Sequence, residues 1–128
     1  MIVAGDPAER RRRTNGVNHV VLLVFGPVLI VIGILGFVVP ERHAMTSGAA
    51  PYNIFHIAFG VLGTSIALAG SNGPIRGFLI GFGAIDLYQA VASRWSLFPK
   101  RHFRWKPADD VLHVVIGIAL VVIGIVGS

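Results

Sequence analysis

Residues 17–39 read VNHVVLLVFGPVLIVIGILGFVV and contain no aspartate, glutamate, lysine or arginine. A helix needs about 20 apolar residues to cross the hydrocarbon core of a bilayer, so this run is long enough. Three further apolar stretches lie at residues 52–70, 75–94 and 109–126, and of the four only 75–94 carries a formal charge in its interior. The sequence therefore predicts four transmembrane helices.

The composition of the whole chain agrees with a lipid environment. Of its 128 residues, 54% are hydrophobic and only 13% are charged, which leaves too few polar side chains to cover a soluble domain of this size. β-Branched residues are frequent in the first and last stretches. An open sheet in lipid leaves backbone groups unpaired, however, and the alternating pattern of a barrel is missing. We therefore expect an all-α protein.

Short connections join the four stretches. Pro40 and Pro51 bracket the first connection, GSNGP at 70–74 forms the second, and LFPKRHFRWKPADD at 97–110 forms the third. Short connections place consecutive helices side by side in opposite directions. The expected fold is a four-transmembrane-helix up-and-down bundle at residues 17–128, preceded by a basic tail at residues 1–16.

Charge patterning bears on location. The arginine-rich tail before residues 17–39 is also typical of a secretory signal, but the apolar run is longer than a normal signal core. Lysine and arginine number five on the side of the N-terminus and six on the opposite side, so the positive-inside rule is nearly balanced. Because the first helix usually dominates, we expect both termini to lie in the cytoplasm.

One polar pattern occurs twice. Asn53, His56 and Gly60 form N-x-x-H-x-x-x-G at the start of the second stretch, and D-x-x-H-x-x-x-G at residues 110–117 opens the fourth. The two histidines, His56 and His113, lie 57 positions apart. Further matches at that offset suggest a duplicated helical hairpin, with the two halves related by an axis along the membrane normal.

With these two motifs, the four-helix pattern of residues 17–127 resembles the uncharacterised bacterial membrane proteins of the domain-of-unknown-function 4383 type. The resemblance rests on the two motifs, that is, on Asn53, His56, Gly60, Asp110, His113 and Gly117. It implies a four-helix membrane fold in a bacterial inner membrane and no particular activity, and it does not extend to the basic third connection.

Two interpretations of the histidines are open. In the structural one, Asn53 and either Asp110 or Asp109 cap their helices, each histidine is neutral and hydrogen-bonded, and the glycine one turn further allows close helix packing. In the other, His56 and His113 converge on the bundle axis and ligate a haem or another tetrapyrrole. Two ligands are too few for a zinc site, so we expect no metal.

Asp86 is the charged residue inside the third stretch. A carboxylate near the bilayer midplane is costly, so it must be paired, hydrated or protonated. Gln89 shares its helical face, which we turn towards the bundle interior and the histidines. Asp86 is then either a hydrogen-bonded structural group or part of a proton or ion path with His56 and His113.

The third connection mixes bases with aromatic rings. Beside a membrane helix this pattern favours contact with anionic lipid headgroups over nucleic acid, and an acidic protein partner is also open. The residues expected to contact lipid or a partner are Trp95, Lys100, Arg101, Arg104, Trp105 and Lys106.

The sequence shows no nucleophile beside a base and no glycine-rich phosphate loop. It therefore favours a non-catalytic integral membrane protein without a cofactor, acting as a structural or accessory component, as a subunit of a larger membrane complex or as a homo-oligomer. The alternative is a tetrapyrrole-binding or proton- or ion-handling protein that uses His56, His113 and Asp86.

Overall fold

Five α-helices make up the computed structural model, which describes residues 16–127. They are α1 (Val17–Val38), α2 (Ala50–Ala69), α3 (Asn72–Trp95), α4 (Lys100–Phe103) and α5 (Pro107–Val126), with a 3₁₀ turn at Glu41–His43. All but the short α4 are long and apolar enough to cross a membrane. The prediction of four long apolar helices is confirmed, whereas the basic tail falls outside the described residues except for Gly16.

Local sequence explains where the long helices begin and end. Pro51 and Pro107 stand in the first turns of α2 and α5, where a missing N–H is tolerated because that group has no helical partner. The last turn of α2 is closed by Gly70, whose φ of 79° is left-handed and suits glycine. Residues 70–71 then reverse the chain into α3, so that α2 and α3 run in opposite directions.

The helices pack most closely as two hairpins, α1 with α2 and α3 with α5. Glycines make this possible. A Cβ atom on Gly60 would lie 2.8 Å from the carbonyl oxygen of Gly26, and a Cβ atom on Gly117 would lie 2.9 Å from that of Gly83. In each hairpin the two backbones therefore touch without intervening side chains, as small-residue helix pairs do in membranes.

Contacts between α1 and α2 recur between α3 and α5 at the 57-residue offset. Gly26 faces Gly60 as Gly83 faces Gly117. Near the other end of each hairpin, Nε2 of His19 donates to the carbonyl of Ala67 at 2.9 Å, and Nε of Arg76 donates to that of Gly124 at 2.6 Å. Each residue of the second hydrogen bond stands 57 positions after its counterpart in the first, so the two hairpins share one packing pattern.

The bundle interior differs between its two ends. Where α1 and α3 begin, the core is largely apolar and closely packed around Leu22, Ile75 and Leu79, none of which has any exposed surface, with the polar side chain of Asn18 also buried there. Where α2 and α5 begin, the core contains Tyr52 and Trp105 together with buried polar side chains. The polar residues of interest are thus collected at the end away from the start of α1.

Candidate functional site

The polar cluster is built by the first turns of α2 and α5 and the middle of α3. α2 contributes Tyr52 and His56, α5 contributes Asp109 and His113, and α3 contributes Asp86 and Gln89. All six of these side chains are buried. Because α2 and α5 run in the same direction and sit on opposite corners of the bundle, their first turns reach the same depth and meet across its axis.

A hydrogen-bonded chain links α2 to α5. The hydroxyl of Tyr52 donates to Oδ1 of Asp109 at 3.2 Å. The phenolic oxygen of Tyr52 also lies 2.6 Å from Nε2 of His113. With the phenolic hydrogen directed at Asp109, Nε2–H of His113 donates to the phenolic oxygen. Oδ2 of Asp109 accepts two backbone N–H groups, from Ser47 and Lys106, each at 2.8 Å. These bonds tie the 40–49 connection to the start of α5.

A second chain of hydrogen bonds runs from the third connection into α3. The indole N–H of Trp105 donates to Oε1 of Gln89 at 3.1 Å, and Nε2 of Gln89 donates to Oδ1 of Asp86 at 3.2 Å. The inward orientation predicted for Asp86 and Gln89 is therefore observed. Trp105 also stands edge-on to His113, with ring centroids 6.2 Å apart, so the two chains meet at that imidazole.

The two histidines converge on Tyr52. Its ring centroid lies 4.2 Å from that of His56 and 5.9 Å from that of His113. Nδ1 of each imidazole is buried and has no hydrogen-bond partner in residues 16–127. Tyr52 packs against both rings and forms a hydrogen bond with Nε2 of His113. A tetrapyrrole held between the two histidines would therefore require Tyr52 to move.

The helix caps differ from the prediction. Asn53 does not cap α2, because the helix begins at Ala50; its side chain instead donates to the carbonyl of Gly48 at 3.0 Å. In α5 the N-cap residue is Lys106, and Asp109, three residues further on, accepts the backbone N–H of Lys106. Oδ1 of Asp110 has no partner in the described part of the chain. The predicted N-cap role was therefore wrong for Asn53 and for both aspartates, since Lys106 is the N-cap of α5 and Asp109 lies three residues inside the helix.

A cavity of about 550 Å³ adjoins the polar cluster and lies between α1 and α5. His56, Asp86 and His113 line it on the polar side. Its remaining wall is largely apolar and is formed mainly by α1 and α5, with the Phe82 ring of α3 and residues 44–48 of the first connection. The apolar lining residues of the long helices are Phe25, Val28, Leu29, Ile32, Leu35, Phe82, Leu112, Val115, Ile116, Ala119 and Leu120. A polar wall facing an apolar chamber is a common design for small-molecule sites.

The third connection is divided between surface and interior. Trp95 is 66% exposed, and Arg101 and Arg104 are also exposed; their contact with lipid headgroups stays a prediction. Trp105 was predicted with them and is instead 7% exposed, because its indole reaches Gln89 inside the bundle. Lys100 and Lys106 were part of the same prediction, and their ammonium groups donate to the carbonyls of Ser93 and Ala44.

Sequence reasoning did not select Tyr52 and Asp109 as partners, although a signal was present. They are themselves 57 positions apart, so each is the counterpart of the other in the two hairpins. Counterparts that touch each other must lie close to the axis relating the halves. Extending each motif by one residue, to Y-N-x-x-H and D-D-x-x-H, would have placed both on that axis.

No protein-family model, curated protein or solved structure matches this chain. The resemblance to proteins of the domain-of-unknown-function 4383 type therefore stays a prediction. Within residues 16–127 no group of three or more His, Cys, Asp or Glu side chains is arranged to hold a metal ion. The geometry of the cluster and its cavity therefore carries the functional interpretation.

Proposed function

We propose that this chain is an integral membrane protein of the bacterial inner membrane, with four transmembrane helices and both termini in the cytoplasm. The observation that carries the proposal is that apolar side chains face outward and polar side chains face inward, the reverse of a soluble protein. Large apolar side chains face outward along α1, α2 and α5, among them Val24 (59% exposed), Leu68 (74%) and Val115 (60%), while Asp86 and Gln89 are inside. In water so continuous an apolar surface would aggregate, whereas lipid accommodates it.

Cysteine accessibility tests this topology directly, because the chain has no native cysteine. Met45, in the first connection, is 80% exposed, and Ser71 lies exposed in the turn between α2 and α3. In inside-out and right-side-out vesicles, Met45→Cys and Ser71→Cys should react with an impermeant maleimide from opposite faces. Ser71→Cys is expected to label from the cytoplasmic face. Labelling of both from one face contradicts the four-helix topology.

Within the membrane, the role we propose is non-catalytic: a structural or accessory component that acts in a larger complex or as a homo-oligomer. The apolar outer faces supply surface for other membrane helices, and the exposed Trp95, Arg101 and Arg104 supply contacts for anionic headgroups. We also propose that the two hairpins descend from one ancestral hairpin, on the strength of their matched glycine and hydrogen-bond contacts. Native mass spectrometry from lipid nanodiscs measures the assembly; a strict monomer without protein partners would contradict the accessory role.

Proton or ion handling is a second candidate, and one specific observation favours it. Protons can pass between Asp109, Tyr52 and His113 along their hydrogen bonds, and Asp86 lines the same cavity as these three residues. In proteoliposomes, this candidate predicts a pH-gradient-driven flux that Asp86→Asn abolishes while the protein remains folded. A flux equal to that of empty liposomes contradicts it.

The tetrapyrrole alternative has less geometric support, since Tyr52 fills the space beside both histidines. Protein purified in mild detergent gives a direct test through its visible absorption. A Soret band that disappears in His113→Leu would establish this alternative and displace the structural interpretation of the histidines.

A further inference from the structure

The cavity between α1 and α5 has two walls of opposite character. One wall carries His56, Asp86 and His113, and the other carries aliphatic and aromatic side chains. His56 is 8% exposed, and its imidazole forms no hydrogen bond among residues 16–127. Asp86, with two carboxyl oxygens, accepts a hydrogen bond only from Gln89 within that range. Buried polar groups are normally satisfied, so this wall has unused hydrogen-bonding capacity.

From this arrangement we propose that the cavity binds an uncharged, lipid-soluble molecule whose polar end carries a hydroxyl group. The inference rests on the proposed membrane location, since the ligand is supplied from the lipid phase. The apolar body lies along α1 and α5, and the hydroxyl lies between His56 and Asp86. A hydroxyl both donates and accepts, which suits a neutral imidazole beside a carboxyl group.

The rim of the cavity determines the charge of the ligand. Val28 and Ile32 on α1 and Val115 on α5 line the cavity and are each at least 42% exposed, so this side of the cavity faces the region occupied by lipid chains. A charged head would have to pass this apolar rim without water, which is unfavourable. No Lys or Arg of residues 16–127 lines the cavity, whereas Asp86 and Asp109 do, so an anionic head is disfavoured further.

The volume and the polar wall also separate this ligand from other occupants. About 550 Å³ lies within the range of small-molecule pockets, roughly 300–1,000 Å³. A helix from a second copy would present the valine, isoleucine and leucine side chains of its outer face. These would fill the apolar part of the cavity and leave His56 and Asp86 without partners.

Photolabelling tests the proposal with defined probes. The full chain is reconstituted in phosphatidylcholine vesicles with hexadecanol that carries a diazirine in mid-chain, and the labelled residues are mapped by mass spectrometry. We expect labelling at Val28, Ile32 and Val115 that saturates and falls when unlabelled hexadecanol is added. Two further probes with the same hydrocarbon chain test which head group the site recognises. They are hexadecanoic acid, which is anionic, and hexadecyl methyl ether, which accepts but cannot donate a hydrogen bond. Both should label the cavity several-fold less than the alcohol.

A pair of matched variants locates the site. Ala119 lines the cavity and Ala58 is on the outer surface of α2; both are exposed alanines within long helices. Ala119→Trp fills the chamber and should abolish saturable labelling, whereas Ala58→Trp should leave it unchanged. His56→Leu should weaken labelling by the alcohol without affecting the weak labelling by the ether. Competition by dioctanoylglycerol or by farnesol then distinguishes a glycerolipid source from an isoprenoid one.

Three results would overturn the proposal. They are labelling by hexadecanol that does not saturate, equal labelling by the alcohol and the acid, and equal labelling in Ala119→Trp and Ala58→Trp. The first two would mean that the cavity holds ordinary bilayer lipid without recognition of the head, and the third would mean that the labelled site is not the cavity. Failure of the membrane topology is seen separately, in the cysteine labelling of Met45→Cys and Ser71→Cys, and does not depend on any of these outcomes.

Discussion

Replacing single glycines in α3 measures how closely the two helices of a hairpin must approach. Gly81 and Gly83 are two positions apart in the same helix but face different surroundings. A Cβ atom on Gly81 would meet nothing within 4 Å. A Cβ atom on Gly83 would lie 2.8 Å from Cγ2 of Val121, 2.9 Å from the carbonyl oxygen of Gly117 and 3.0 Å from the backbone nitrogen of Val121. Two of these three atoms belong to the backbone of α5 and cannot rotate away.

The expected magnitudes follow from these distances. Alanine is favoured over glycine in a helix interior by about 1 kcal/mol, and this gain applies to both positions. At Gly83 the new methyl group also pushes α5 outward, and overpacking of this kind costs about 1–3 kcal/mol. Gly81→Ala should therefore be neutral or stabilising. Gly83→Ala should be less stable than Gly81→Ala by about 1–3 kcal/mol, the cost of that overpacking.

Reversible unfolding in mixed micelles of mild detergent and dodecyl sulfate measures both variants, with helix content followed by circular dichroism. Gly26→Ala, the counterpart in the first hairpin, should resemble Gly83→Ala, because its Cβ atom would lie 2.8 Å from the backbone nitrogen of Thr64. Equal stability of Gly81→Ala and Gly83→Ala would refute the close backbone contact of α3 with α5. A large difference confined to one hairpin would refute their equivalence.

The same unfolding assay serves three further variants. Tyr52→Phe leaves Asp109 and His113 without the shared hydroxyl and should cost about 1–3 kcal/mol, whereas Tyr88→Phe, at a side chain 47% exposed, should cost at most about 1 kcal/mol. Trp105→Phe leaves Oε1 of Gln89 without its indole donor and should destabilise by about 1–3 kcal/mol, while Trp95→Phe should have little effect. Asp86→Leu should keep the fold at near-native stability, because the cost of burying the carboxyl group offsets the stability gained from the hydrogen bond that it accepts. A loss of stability as large as that of Tyr52→Phe would show that Asp86 is required structurally.

The long helices were predictable because hydropathy and length are strong signals in a chain this apolar. Their ends were less so. The prediction started α2 at Tyr52 with Asn53 as its cap, yet the helix begins two residues earlier, at Ala50. Pro51 permits this early start, because proline fits the first turn and needs no N–H partner there. Asn53 then lies inside the helix and reaches back to the carbonyl of Gly48.

For the site, periodicity indicated direction but could not identify partners. Asp86 and Gln89 share a helical face with Gly83, a position that must touch a neighbouring helix, and this predicted their inward orientation correctly. Trp105 was placed at the lipid interface because aromatic residues beside basic ones are typical there. Its burial depends on the path of the third connection, which folds back over the bundle end, and no local pattern specifies that path.

The two hairpins share their glycine contacts and their histidines, so the positions where they differ show what the fold alone does not require. Fifty-seven positions before Asp86 stands Leu29, which is also buried and also lines the cavity. At this position the packing of a hairpin is therefore satisfied by an aliphatic side chain. The equivalent positions 52 and 109 also differ, with a tyrosine in the first hairpin and an aspartate in the second. The acidic groups facing the cavity, Asp86 and Asp109, both belong to the second hairpin, at positions where the first has Leu29 and Tyr52. The two hairpins are similar, yet the cavity between them has one polar wall and one apolar wall, and it is this asymmetry that a ligand with a polar end and an apolar body would use.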